Sequence, residues 1–248
     1  MIDIHAHILP GADDGADGLS AALAMAEMAV SCGVTAIVAT PHSGLPHQQL
    51  SALASDHARK LEALRSEVEK AALPLRVLPG MEIFGTRDTA RLLAEGKLIT
   101  LNRSRYPLIE FPFEGYAHQA TEVLASVLEL GLRPVVAHPE RYLYVQADPV
   151  LLNLWTDMGC LFQVNRGSLL GRFGPREEAL AYAMVERGFV CAVASDGHSP
   201  HSRTTWMRDI HELLAEEFSP QTAHLLTEEF PRLLVENAHI PMQEPNWF

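Results

Sequence analysis

The sequence predicts an α/β protein whose parallel strands close into a barrel, on three observations. Short β-branched runs alternate with amphipathic helical stretches, giving about seven βα units along 248 residues. Gly33, Gly131, Gly159 and Gly188 fall where a helix should stop. Each apolar run ends in His, Asp, Glu, Gln or Asn. A parallel barrel gathers all such ends on one face, whereas an open sheet scatters some to opposite edges.

Met1–Ile8 opens the chain as a strand, with Ile2, Ile4, Ala6 and Ile8 alternating against Asp3, His5 and His7. The turn signal Pro10-Gly11 and the pair Asp13-Asp14 follow, then a helix over 18–31. VTAIVAT (34–40) runs into TPH with His42 and is followed by a helix over 47–72. LRVLPGMEI (75–83) delivers Glu82, and YPLIEF (106–111) delivers Glu110 ahead of a helix over 117–130. RPVVAHP (133–139) ends at His138 before a helix over 148–158. CLFQVN (160–165) supplies Gln163 and Asn165 before a helix over 175–187, and CAVASD (191–196) ends at Asp196 with His198 just beyond. No linker, repeat or low-complexity segment divides the chain, which reads as one domain over 1–248.

Apolar residues at 48% and charged residues at 20% are ordinary for a globular protein. The net charge of −12 weighs against a general nucleic-acid binder, whose affinity comes chiefly from Lys and Arg. No apolar run reaches the ~18 residues of a membrane span, and no basic-then-apolar leader opens the chain. Cys32, Cys160 and Cys191 are odd in number and lack CxxC spacing, so they read as free, buried thiols. The expectation is a cytoplasmic protein with no membrane insertion.

One strand histidine is more often a hydrogen-bonded core residue than a ligand. His5 and His7 are different: their i, i+2 spacing aims two imidazoles at one point, where a barrel interior leaves both poorly satisfied. Glu82 and Glu110 follow apolar runs that should be buried, and a buried carboxylate needs a cation. With Asp14, His42, His138, Asp196 and His198 the candidates exceed what one ion takes and fit two or three. Nitrogen and oxygen donors without cysteine suit Mn²⁺, Fe or Zn²⁺ better than Ca²⁺ or Mg²⁺. Such a cluster typically activates water and clamps a phosphoryl group.

DIHAHILPGADDG, TPH, GMEI, IEF, AHPERY, QVN and SDGH occur in the order found in the polymerase-and-histidinol-phosphatase (PHP) superfamily, and the chain resembles it over nearly its whole length. HILPGADDGA and AHPERY are similar to its bacterial branch of manganese-dependent tyrosine-protein phosphatases from capsule and exopolysaccharide clusters. The resemblance implies a distorted (β/α)₇ TIM-like barrel of PHP type with a trinuclear metal site, Mn²⁺ foremost. By motif position His5 and His7 hold one metal, with Glu82 bridging and Asp196 contributing. Glu110 and His138 hold the second, and Asp14, His42 and His198 the third, while Arg141 and Arg203 match arginines that engage phosphate. The implied activity is hydrolysis of phosphotyrosine in protein by metal-activated water. A bound water or a nearby histidine (His42 or His198) acts as the acid, and the tail of a bacterial tyrosine kinase controlling polysaccharide export is the implied partner. The nearest alternative is a small-molecule phosphomonoesterase of the histidinol-phosphatase kind. A nuclease fits the acidic chain less well, and a non-catalytic metal-binding partner of the kinase is disfavoured by the intact ligand set. SGLPHQQL (43–50) departs from the family pattern, lacking the extra His and the aromatic often found there after TPH.

Cys160 and Arg166 match the Cys-x5-Arg spacing of thiol-based tyrosine phosphatases. That chemistry needs a tight loop whose backbone N–H groups wrap a phosphate. LFQVN instead alternates like a strand, so the thiol route is rejected. Asp3 is placed to hydrogen-bond a ligand imidazole or to sit at the surface. His47, His57, His118, His201, His211, His224 and His239 read as solvated, and Trp155, Trp206 and Trp247 as packing residues.

Overall fold

The computed structural model describes residues 1–44, 50–242 and 244–248; His47, most of the SGLPHQQL segment and the start of the 47–72 helix lie outside them. In chain order the elements are β1 (Ile2–Ala6), α1 (Leu19–Ser31), β2 (Ala36–Ala39), α2 (Leu50–Lys70), β3 (Arg76–Pro79), β4 (Glu82–Phe84) and α3 (Thr89–Ala94). Then come β5 (Leu108–Glu110), α4 (Ala117–Leu128), β6 (Val135–Ala137), α5 (Leu143–Ala147), α6 (Val150–Met158), β7 (Leu161–Asn165), α7 (Arg166–Leu169), α8 (Pro175–Glu186) and β8 (Val190–Ala194). Helices α9 (Arg208–Glu217), α10 (Pro220–His224) and α11 (Phe230–Val235) finish the chain.

Every strand pair is parallel, in two sheets ordered β1-β2-β3 and β4-β5-β6-β7-β8. The expected single strand over 75–83 is two. Pro79 offers no N–H to a ladder, and a Cβ at Gly80 would lie 2.6 Å from Val38 Cγ1. The chain therefore leaves one sheet and enters the other between β3 and β4. Backbone bonds link the sheets on both sides. Ser43 N donates to Glu82 O at 2.9 Å and Glu82 N to Pro41 O at 3.1 Å; Asp196 N donates to His5 O at 2.9 Å and His7 N to Gly197 O at 2.8 Å.

The core is apolar and continuous, and Trp155, Tyr106, Tyr142 and Phe162 are among its largest fully buried side chains. The polar ends of Trp155 and Tyr142 are satisfied. Trp155 Nε1 donates to Thr121 Oγ1 at 2.8 Å, and the Tyr142 hydroxyl donates to Ala137 O at 2.6 Å. His57 is not solvated: it is buried, with Nε2 bonded to Gly80 O at 2.7 Å, which secures the turn between β3 and β4. His211 is half-buried and bonds Thr227 Oγ1 at 2.8 Å, whereas His118, His201, His224 and His239 are exposed. No helix among the described residues is long and apolar enough to cross a membrane.

Candidate metal centre

In a parallel sheet the turns after successive strands share one face. His7, His42, His138, Asp196 and His198 lie in such turns, with His5 and Glu110 at the ends of their strands. Asp14 arrives differently. The loop after β1 doubles back, with Ala16 N donating to His7 O at 2.9 Å, so tightly that a Cβ at Gly15 would come within 2.4 Å of His7 Cβ. Glu82 owes its place to the break at Gly80, which puts the first residue of β4 at the junction of the sheets. His138 (φ 35°) and Asp196 (φ 49°) both hold left-handed backbone, a strained conformation that clusters at functional sites.

Glu82 is the hub. Its Oε1 lies 2.7 Å from His138 Nε2 and 3.2 Å from His5 Nε2, and its Oε2 lies 3.1 Å from His42 Nδ1 and 3.2 Å from His7 Nε2. Asp196 Oδ1 stands 3.6 Å from His5 Nε2, 3.5 Å from His7 Nε2 and 3.6 Å from His198 Nδ1. Glu110 Oε1 is 2.7 Å from His42 Nδ1. Asp14 Oδ1 is 3.6 Å from His42 Nε2 and 3.5 Å from His198 Nε2. Four overlapping groups have ligand atoms within 4.8 Å of one another: His7, Asp14, His42 and His198; His5, His7 and Asp196; His5, Glu82 and His138; and His42, Glu82 and Glu110. All nine predicted ligands meet.

Electrostatics show what the cluster demands. Burial opposes charge on His5, His7 and His42, yet the facing carboxylates outweigh it; all three pKa values rise, that of His42 to about 10 beside Glu110 and Glu82. Burial likewise opposes charge on Glu82 and Asp196, but the surrounding imidazoles, His5 foremost, hold both well below the ordinary carboxylate range. His198 goes the other way, pushed down to about 4 by burial and by the neighbouring His7 cation. Buried carboxylates here require positive charge, and protons and divalent cations compete for the same donors. His138 Nδ1 is buried with no hydrogen-bond partner among the described residues. The donor set therefore fits divalent metal.

Residues behind the cluster aim it. His5 Nδ1–H donates to Gln163 Oε1 at 2.9 Å, Gln163 Nε2 to Asn165 Oδ1 at 2.9 Å, and Asn165 Nδ2 to Asp196 Oδ2 at 2.6 Å. His7 Nδ1–H donates to Asp13 Oδ2 at 2.6 Å. Both bonds turn Nε2 inward, so that it offers a lone pair once a cation displaces its proton, the usual way a ligand imidazole is fixed. Burial pushes the Asp13 pKa up, but His7 and the backbone N–H groups of His42 and Gly15 bring it to about 2. Sequence reasoning took Asp14 from the pair and gave Asp13 no role; adjacency alone does not say which of two aspartates faces in. Glu140 was also missed. It is fully buried, accepts from Asn165 N at 3.0 Å and Ser168 Oγ at 2.6 Å, and burial raises its pKa. Among the described residues Asp3 makes no hydrogen bond to an imidazole. Its carboxylate accepts from Ser195 N at 3.1 Å, Ser195 Oγ at 2.5 Å and His5 N at 3.3 Å, tying β1 to the end of β8.

Two guanidiniums close on the same carboxylate oxygen. Arg203 Nη2 donates to Asp196 Oδ2 at 2.5 Å, and Arg141 Nη1 lies 3.6 Å from that atom. The Arg141 guanidinium sits 4.4 Å from the Phe113 ring centre and 4.3 Å from that of Phe173, a sandwich that fixes its plane.

Cys160 has no such setting. It is buried, its pKa is pushed up to about 12, and Leu161–Asn165 is a strand. Arg166 is taken by Asp209, with Nε donating at 2.7 Å and Nη2 at 2.5 Å. Cys160→Ser is expected to keep near-normal turnover, since only a thiolate is a competent nucleophile. A folded, metal-loaded serine variant without activity would restore the thiol route.

The family model described as capsular polysaccharide synthesis, CpsB/CapC, matches residues 1–236. The chain is 36% identical over 247 residues to the tyrosine-protein phosphatase YwqE of Bacillus subtilis, covering 99% of this chain and 95% of that one. It is 31% identical to the tyrosine-protein phosphatase CpsB of Streptococcus pneumoniae, covering 95% of this chain and 98% of that one. Among solved structures, one from the study of YwqE and CpsB, described as unique metal-dependent tyrosine phosphatases, superposes with a TM-score of 0.92 at 35% identity. It covers 100% of this chain and 99% of that one.

Proposed function

The chain belongs to the capsular polysaccharide synthesis family CpsB/CapC and is a metal-dependent tyrosine-protein phosphatase, and from that premise we propose how its residues share the work. The observation that carries the assignment is the meeting of two guanidiniums with the His and carboxylate cluster at Asp196. The cluster suits cations, and the arginines suit the anion those cations attract. The bonds between the sheets support one distorted (β/α)₇ barrel over 1–248, with the cluster at its mouth.

His5, His7, Glu82 and Asp196 form one ligand set, Glu110 and His138 a second, and Asp14, His42 and His198 a third, with Mn²⁺ the preferred occupant. Divalent ions held there supply an activated water and positive charge for the phosphoryl oxygens. Arg141 and Arg203 bind the remaining phosphoryl oxygens and line the phosphorus up for attack. Gln163 and Asp13 keep the His5 and His7 imidazoles aimed. Phenol is a fair leaving group with a pKa of ~10, so no strong acid is needed. The substrate we favour is the phosphorylated tail of a bacterial tyrosine kinase that controls polysaccharide export, met in the cytoplasm.

Chelation is expected to abolish turnover of a phosphotyrosine peptide, and Mn²⁺ to restore it better than Mg²⁺. Because His42 titrates near about 10 in the metal-free protein, its proton is displaced on metal uptake. Apparent Mn²⁺ affinity should therefore climb with pH throughout the range below about 10. Calorimetry in buffers of different ionisation enthalpy reads the released protons. Full activity in metal-free protein would overturn the reading, and faster turnover of histidinol phosphate than of the peptide would overturn its substrate.

A further inference from the structure

A cavity of about 270 Å³ is lined by residues that follow Glu82 and Glu110 closely in sequence, and no residue of the cluster itself lines it. Its walls come from the end of β4 (Phe84) and the turn after it (Arg87), the turn after β5 (Phe111, Tyr116), Val123 of α4, and Tyr144 of α5. Turns that follow parallel strands share the face on which Glu110 and His138 stand, so the cavity belongs to the side of the fold that carries the cluster. Phe111 directly follows Glu110. Phe113, from the same turn, lies 5.9 Å from the His138 ring and carries the Arg141 guanidinium at 4.4 Å. The turn that supports the phosphate arginine is thus also one wall of the cavity, and it leaves Phe113 39% and Tyr116 65% exposed. Two partly exposed aromatics in one turn at the mouth of a polar site call for an apolar contact.

We propose that this cavity is a binding subsite for an aromatic side chain of the substrate polypeptide, close in sequence to the phosphotyrosine; the proposal rests on the tyrosine-phosphatase reading above. Four of the named wall residues are aromatic (Phe84, Phe111, Tyr116 and Tyr144). An apolar cavity of roughly 150 Å³ already takes a benzene ring, so a phenyl or phenol ring fits this one. Arg87 and Glu122 put opposite charges at the rim and give no net selection for an acidic or basic side chain. An extended chain advances ~3.4 Å per residue, so three positions either side of the phosphotyrosine sweep about 10 Å in each direction, and these are the positions to scan.

The test uses manganese-loaded protein and phosphotyrosine peptides that carry Phe or Ala at each position up to three residues either side. One Phe position is expected to raise kcat/KM about tenfold over Ala, mainly through KM, as burial of an apolar side chain in a fitted pocket does. Phosphonate analogues that cannot be hydrolysed should show the same ratio in equilibrium binding. In Gln119→Trp, which fills the mouth from the exposed face of α4, and in Tyr116→Ala, which removes a wall, the Phe-to-Ala ratio should fall to about one. A ratio near one at every position in the wild type overturns the subsite while leaving the phosphatase reading intact. A ratio that survives in both variants also overturns it. Failure to hydrolyse any of the peptides overturns the phosphatase reading itself, and the subsite with it.

Discussion

Glu82→Gln is expected to lower turnover on a phosphotyrosine peptide by at least ~100-fold, because the water activation supplied by metal is lost, and to strip metal from the purified protein. The residue faces His5, His7, His42 and His138 at 2.7–3.2 Å and is held well below the ordinary carboxylate range by them. Glutamine keeps the shape but removes the charge, and it turns an N–H towards nitrogens that must offer lone pairs. Two of the four overlapping ligand groups contain Glu82, so both are weakened by one substitution. His138→Ala removes a different member of one of those groups and should cost a similar factor. Metal content by elemental analysis, read beside the melting temperature, separates loss of metal from loss of fold. A folded Glu82→Gln protein with wild-type metal and turnover would sink the bridging role.

Much of this was legible in the chain because two periodicities coincide with chemistry. The alternation of strand and helix marked the parallel sheet, and the observed helices α1, α4, α6 and α8 begin and end within two residues of the expected ones. Polar strand ends, with the aspartate pair after the first strand, marked nine candidate ligands that the fold brings together, because apolar runs do not otherwise terminate in His, Asp and Glu so regularly. The break of the 75–83 run was harder to see. Its pattern is apolar throughout, and only the approach of Val38 to Gly80 shows why the chain changes sheet there. Asp13 and Glu140 were invisible for another reason. Their work is to orient Nδ1 of His7 and to hold Asn165 N, contacts that depend on turns rather than on spacing. His57 was misread because a histidine on an amphipathic helix looks solvated until its carbonyl partner, Gly80 O, is known.

Arg141→Ala and Arg203→Ala are each expected to lower kcat/KM by roughly 10²-fold, about 2.7 kcal/mol of transition-state stabilisation. In the structure both guanidiniums face Asp196 Oδ2, at 3.6 Å and 2.5 Å, and an isolated surface pair of that kind is worth only ~0–1 kcal/mol. The carboxylate that both face is buried, so neither is an isolated surface pair. Arg141 is clamped between Phe113 and Phe173. Arg203 holds left-handed backbone (φ 45°) and buries its Nε without a partner among the described residues. Asp196 takes Nη2 of Arg203 and leaves its buried Nε without an acceptor among the described residues, and a phosphoryl group is an acceptor of the kind that both guanidiniums fit. Its equatorial oxygens gain charge as the bond to the phenol breaks, so donors fixed in advance stabilise the transition state more than the ground state. Lys at either position should rescue only in part, because a point charge cannot take two oxygens in one plane. Asp196 stays anchored by Asn165 Nδ2 at 2.6 Å, so metal content should not change in either alanine variant. The decisive measurement is kcat/KM on phosphotyrosine peptide with metal content determined on the same sample. Normal turnover in both variants would show that the arginines serve Asp196 alone.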